Sequence, residues 1–240
     1  MTLSIALSGD TAHSPGNTLP ALRSAWRAGA DLVKVDVHLS SDGYPVLVDD
    51  RVAATPGAPP RPVTDLTLAE LAAARDDVER RVPTLMEVLG EFRPGIAPPL
   101  LIDAAAPEAA LAADALLRER GLADRVLFTG SVETLGALRS RSSETPLLLA
   151  WDQPGLPPED VARALHPTYL GVRNTLLNRE RIGEIHRFGY RVAVWNVNEF
   201  PEMARYVGMG VDALATERIE DLTSLTKDTG KGVHHTAESA

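Results

Sequence analysis

Cysteine is absent from the chain. Disulfide staples, thiolate nucleophiles and Cys-ligated metal sites are thereby excluded. Lysine is nearly absent as well: of 24 basic residues, only Lys34, Lys227 and Lys231 are lysines. The last two stand in "KDTGKGVHHTAESA", a polar stretch over 227–240 that reads as a disordered tail. That leaves Lys34 as the one lysine of the folded region expected over 1–226. Positive charge is scarce overall, with 33 acidic residues and a net charge of −9. A nucleic-acid partner or an anionic membrane surface would call for a basic patch, so neither is expected. No apolar run approaches the roughly 18 residues of a membrane span, so membrane insertion is not expected either. The N-terminus has no basic segment followed by an apolar stretch, and the plain reading of location is cytoplasmic. A Gly-rich phosphate loop, a Cys/His metal spacing and a nucleophile elbow are missing too.

What is there is a strand–helix alternation. Hydrophobic residues make up 44% of the 240, enough for a sizeable core in one soluble domain. "LSIAL" (3–7) reads as a first strand, and "NTLPALRSAWRAG" follows with Leu19, Leu22 and Trp26 at helical spacing. "DLVKVDVHL" is the second strand, and "SSDGYPVLVDD" adds an Asp-Gly turn and a short return strand. A Pro-rich loop leads to two helical patterns, "LTLAELAAARDD" and "PTLMEVLGEF". Six further strands read over 99–104, 125–130, 146–151, 168–173, 190–197 and 211–217, with helical patterns between most of them. Eight such units predict a single (β/α)8 TIM barrel with a small β-hairpin insertion after strand two. Active sites of such barrels sit at the C-terminal ends of the strands, which singles out residues such as Leu7, Ser8, Asp36, His38, Asp103, Asp152, Arg173, Asn196 and Glu217.

In order and spacing, "GNTLPALRSAWRAGADLVKVDVHLSSDGYPVLVDD", "VTDLTLAEL", "VPTLMEVL", "LLIDAAA", "VAVWNVN" and "GVDALATE" resemble the glycerophosphodiester phosphodiesterase family, from residue 3 to about 221. The resemblance implies a barrel that hydrolyses phosphodiesters with two histidines and a divalent cation held by two glutamates and an aspartate. One group helps the attacking hydroxyl, another protonates the leaving alkoxide, and the cation neutralises the phosphate. Placed on this chain, the first histidine falls on Leu7 and the second on Asp49. The metal positions fall on Lys34, Asp36 and Asp103, while Asn17, Thr18, Trp195 and Asn198 match the family pattern.

Strand alternation puts Lys34, Asp36 and His38 on one face. The bland role for Lys34 is a buried ion pair that replaces the metal's charge between Asp36 and Asp103. The functional role is an activated amine, which two neighbouring carboxylates would oppose. Asp49 is either a solvated hairpin residue or a proton-transfer group standing for the second histidine. Metal is not expected between Asp36 and Asp103 with an ammonium beside them, and no cofactor is implied. Trp195 is read as a pocket wall and Arg173 as an anion contact, with Asn198, Asn17 and His38 beside the ligand. His13, in the loop after strand one, is the other candidate for a replacement histidine. The expected catalytic set is thus Asp49, Lys34, Asp36 and Asp103, acting on a small molecule. Three functions are open: a repurposed metal-independent enzyme, which the charged filling of the site favours; a barrel that only binds a ligand or partner; and an active phosphodiesterase with a non-standard site.

Overall fold

The computed structural model describes residues 1–48, 51–52, 59–74, 80–92 and 97–228. Strand β1 (Leu3–Leu7) runs through a loop into α1 (Leu19–Arg27) and on to β2 (Leu32–Leu39). α1 begins where Thr18 takes extended backbone and its hydroxyl accepts from the Ala21 N–H, with Pro20 in the first turn. The expected hairpin is present: β3 (Pro45–Leu47) returns antiparallel to β2. Beyond it lie a two-residue ladder, β4 (Arg51–Val52) with β5 (Arg61–Pro62), which the sequence pattern did not announce, and the short helices α2 (Leu68–Ala73) and α3 (Leu85–Glu91). Both helices open with a capping box, Thr67 with Glu70 and Thr84 with Glu87, so two N-terminal donors are satisfied in each.

Strand–helix units complete the chain: β6 (Leu100–Ala104) and α4 (Pro107–Glu119), β7 (Val126–Gly130) and α5 (Val132–Arg141), β8 (Leu148–Ala150) and α6 (Glu159–Leu165). Then follow β9 (Tyr169–Arg173) and α7 (Arg179–Arg187), β10 (Arg191–Trp195) and α8 (Phe200–Met209), and β11 (Ala213–Thr216) and α9 (Ile219–Asp228). The sheet order β7-β6-β2-β1-β11-β10-β9-β8 is parallel along its whole path. Its two ends meet at a parallel bridge between Phe128 and Leu147, and the Phe128 N–H donates to the Pro146 carbonyl at 3.1 Å. The result is the expected eight-strand barrel. Strand β8 starts at Leu148 and not at 146; Leu147 before it joins β7 only through the isolated bridge to Phe128.

The interior layer takes one residue or more from each barrel strand: Ile5, Leu32, Leu101, Leu127, Leu148, Tyr169, Ala193 and Ala213. The alternate residues Val33, Val35 and Val37 of β2, Ile102 of β6 and Leu214 of β11 point outward and join the layer under the helices. A small separate cluster of Val46, Val48, Val63, Leu66 and Leu71 supports the hairpin. One boundary differs from expectation. Lys227 belongs to α9, where its ammonium donates to the Gly29 carbonyl after α1, so the folded chain holds two lysines and passes the expected end at 226. Residues 229–240, and Lys231 with them, lie outside the described residues. Among the described residues, no helix is long and apolar enough to cross a membrane.

Candidate functional site at the barrel mouth

Ladder register builds the site. Leu7 of β1 is paired with Lys34 of β2, and Asp36 of β2 with Asp103 of β6, so these side chains meet at the C-terminal rim of adjacent strands. The Lys34 ammonium donates to Asp36 Oδ1 and lies 3.0 Å from Asp103 Oδ2. The other oxygen of Asp36, Oδ2, accepts from Ser8 Oγ at 2.9 Å and from Asn17 Nδ2 at 2.9 Å. Asn17 Oδ1 in turn accepts from the Asp36 backbone N–H at 3.0 Å, so one amide grips both ends of the residue.

The loop that supplies Ser8 and Asn17 is strained. Both residues lie in the left-handed region, at φ 54° and 58°, and the Asn17 N–H donates to the Ser8 carbonyl at 2.8 Å. Side chains other than glycine occupy that region at a cost, and such residues concentrate at functional loops. Between them Gly9 lets α1 approach: a Cβ there would lie 2.7 Å from the Ala21 carbonyl carbon.

Both charges of the central pair are fixed. Burial pulls the Lys34 pKa down, but the Asp103 and Asp36 charges and hydrogen bonds outweigh it and hold the ammonium above its ordinary value. Burial pushes Asp36 up, and the Lys34 charge, with hydrogen bonds from Lys34, Asn17 and Ser8, carries it below the ordinary carboxylate range. The expected ion pair between Lys34 and the two carboxylates is therefore present, and its surroundings favour the charged amine.

Lys34 and its second partner Asp103 form part of the floor of an open cavity of about 410 Å³, with Asp36 behind them. Leu7, Ile5, Leu101 and Ala215 give apolar wall, and Lys34, Asp103, Thr129, Ser131 and Asn196 give the polar points. No histidine is among its described lining residues. Trp195 closes one side, its ring lying over Gly171 of the neighbouring strand, where any Cβ would run into the ring carbons. A second depression, about 440 Å³, shares Trp195 and Asn196 and extends over Arg173, Asn174 and Thr175.

The other expected site residues fall into place unevenly. Trp195 is a wall, as its position at the end of β10 suggested. Arg173 is at the rim, but its guanidinium holds Asp152 Oδ2 at 3.1–3.3 Å and its backbone N–H donates to Oδ1 at 2.8 Å. Asn17 is buried beneath Asp36, to which its Nδ2 donates, and is not among the residues that line the cavity. Asn198 ties the β10–α8 loop to β11: its Oδ1 accepts from Thr216 Oγ1 and the Glu217 N–H, both at 3.0 Å, and its Nδ2 donates to Glu217. His38 pairs with Val46 in the hairpin and does not line the cavity. Asp49 lies outside the described residues. His13 stands in a different place, its Nδ1 2.8 Å from the buried Asp10, beside α9. Asn196, two residues before the expected Asn198, is the asparagine that lines the cavity. Its place one residue past a strand end was the available signal.

A closed parallel barrel whose mouth gathers charged groups from β2 and β6 defines the class: a (β/α)8 protein with its site at the strand C-termini. The model of the glycerophosphoryl diester phosphodiesterase family matches residues 8–221, and the chain belongs to that family. It is 24% identical over 253 residues to a glycerophosphodiester phosphodiesterase of Caldanaerobacter subterraneus subsp. tengcongensis, covering 95% of this chain and 99% of that one. In fold it is similar to a phosphodiesterase of Oleispira antarctica solved with its product sn-glycerol 3-phosphate (TM-score 0.80, 22% identity, 95% and 97% of the two chains). It is also similar to a glycerophosphodiester phosphodiesterase of Thermotoga maritima (TM-score 0.76, 24% identity, 94% and 98%).

The divalent cation that the family resemblance implies does not fit these residues. Its place between Asp36 and Asp103 is taken by the Lys34 ammonium, which bonds both carboxylates. A dication about 4 Å from an ammonium meets a repulsion of roughly 8 kcal/mol, twice the ~4 kcal/mol of unit charges at an effective dielectric of about 20.

Proposed function

We propose that the barrel mouth is a small-molecule site that works without a resident divalent cation, and that this member of the family does not hydrolyse glycerophosphodiesters by a metal-dependent route. The observation that supports it is the Lys34 bridge between Asp36 and Asp103, at the floor of a cavity open to a ligand. A bridge sealed in the core would serve only as a scaffold, whereas this one has a cavity in front of it. Lys34 supplies a fixed positive charge that orients a polar group or offsets negative charge developing on it. Asp103 supplies an acceptor beside it, and the loop of Ser8 and Asn17 holds Asp36 so that the lysine stays in place. Trp195 covers an apolar part of the ligand.

The family match favours a second reading, an active phosphodiesterase with a non-standard site. Assay of glycerophosphodiester hydrolysis with added calcium or magnesium separates the two. Loss of one positioned acid–base group costs about 10²–10⁴-fold, so release of glycerol 3-phosphate at the background rate is expected. Robust metal-dependent release would establish the second reading instead.

A further inference from the structure

Among the described residues, the charges at the floor of the mouth do not balance: one ammonium, Lys34, faces two carboxylates, Asp103 at the cavity and Asp36 behind it. Asp36 is turned away from the ligand. Its two oxygens are occupied by Lys34, Ser8 and Asn17, and it does not line the cavity. Asp103 does line it. Its Oδ2 receives Lys34, and no described residue donates to its Oδ1. Its side chain is 36% exposed against 18% for Lys34, so the carboxylate is the more open of the two charges. Lys34 is the only basic side chain among the described lining residues, and two of its three N–H donors are already engaged. The nearest cation of the neighbouring depression, Arg173, is held by Asp152. An added phosphate would therefore bring negative charge to a floor that already has an excess of it.

The wall opposite is apolar. Asp103 is on β6 and Trp195 on β10, four steps apart in the ring of eight strands, so they face each other across the mouth. Leu7, Leu101 and Ala150 continue the apolar lining between them.

We propose that the mouth takes an organic ammonium with an apolar body, its charged head on Asp103 and its body against Trp195, and that it discriminates against phosphate esters. This rests on the reading of the mouth as a ligand site without a resident divalent cation and names the chemical class of that ligand.

Calorimetry of the full chain with hexylammonium, 1-hexanol, hexanoate and hexyl phosphate tests it. The apolar part is constant across the four probes, so differences report the head group. Hexylammonium is expected to bind at least about 10-fold more tightly than hexanoate or hexyl phosphate, the scale of one charge-assisted hydrogen bond. Asp103→Asn, which leaves Lys34 its Asp36 partner, is expected to weaken hexylammonium by about 10-fold and to change 1-hexanol by less than about 3-fold. Trp195→Ala is expected to weaken every probe that binds, by a similar factor. Circular dichroism of both variants checks that they fold. Tighter binding of hexyl phosphate than of hexylammonium would overturn the ammonium assignment and leave the ligand-site reading standing. An unchanged hexylammonium affinity in a folded Asp103→Asn would overturn it as well. No binding by any of the four would overturn both.

Discussion

Lys34 decides more at this site than any other single residue, because its charge stands where two strands and a loop converge. Replacing it with glutamate exchanges a cation for a third carboxylate beside Asp36 and Asp103, an all-oxygen donor set of the kind that calcium accepts. Lys34→Glu is expected to bind calcium in a titration that shows no binding to the unsubstituted chain. It should not gain hydrolysis, since no imidazole lines the cavity among the described residues. The same residue sets a pH dependence. Asp36 is depressed, so its contribution is full above its unfolded value of about 3.9 and is lost as pH falls through the lower folded value. Lys34 is raised, so its contribution is full below its unfolded value of about 10.4 and is lost as pH rises through the higher folded value. The pair therefore stabilises evenly between those limits. Lys34→Met leaves two carboxylates uncompensated and is expected to cost about 1–3 kcal/mol near pH 7, below the ~3–5 kcal/mol of a fully buried pair because Asp103 is partly solvated. Urea midpoints of both proteins from pH 3 to 11 should differ most on this plateau and by less toward either end.

At the scale of elements, the mouth is shaped by how neighbouring strands exchange volume. β10 brings a tryptophan to the rim and β9 offers it a glycine, so the ring folds over the barrel and does not stand out into solvent. Gly171→Val places two extra methyl groups and a Cβ inside the space of the Trp195 ring. It is expected to lower stability by about 1–3 kcal/mol, as overpacking does, and to shift the tryptophan emission as Trp195 is displaced. Adding Trp195→Ala should recover part of the loss. A Gly171→Val protein with unchanged emission and midpoint would mean that the ring rests elsewhere. The β1–α1 loop works in the opposite way. It stores strain at Ser8 and Asn17 in return for three hydrogen bonds to Asp36, and so ties the first helix to the second strand.

The whole molecule is a ring, and the ring makes its last element a structural necessity. β11 pairs with β1, and α9 packs Ile219 and Leu222 into the layer beneath the helices while Lys227 reaches the end of α1. Truncation after Arg218 removes those contacts and exposes the β1–β11 joint. Loss of a cooperative unfolding transition is expected, read by thermal denaturation. Retention of a sharp transition would show that β11 closes the barrel unaided.

The order of elements followed from the sequence by itself. Period-2 and period-3.6 patterns alternate along the chain, and a parallel sheet of eight such units has one economical closed form. Lys34 and Asp36 were legible together because strand alternation sends them to one face, and the family resemblance added Asp103, itself at a strand end. Local pattern could not say which polar atoms already have partners. Asn17 and Asn198 look like ligand contacts in one dimension, yet Asn17 is buried under Asp36, and Asn198 is tied to Thr216 and Glu217. Arg173 looks like a free cation until Asp152, 21 residues earlier, is folded against it. The cavity itself depends on Gly171 and Trp195, 24 residues apart, adopting a register that only pairing β9 with β10 creates. Composition and periodicity determined the barrel and the charges at its rim because these are properties of single strands. Which of those charges faces the cavity was decided by tertiary contact, because a hydrogen bond between distant segments exists only once the ring has closed.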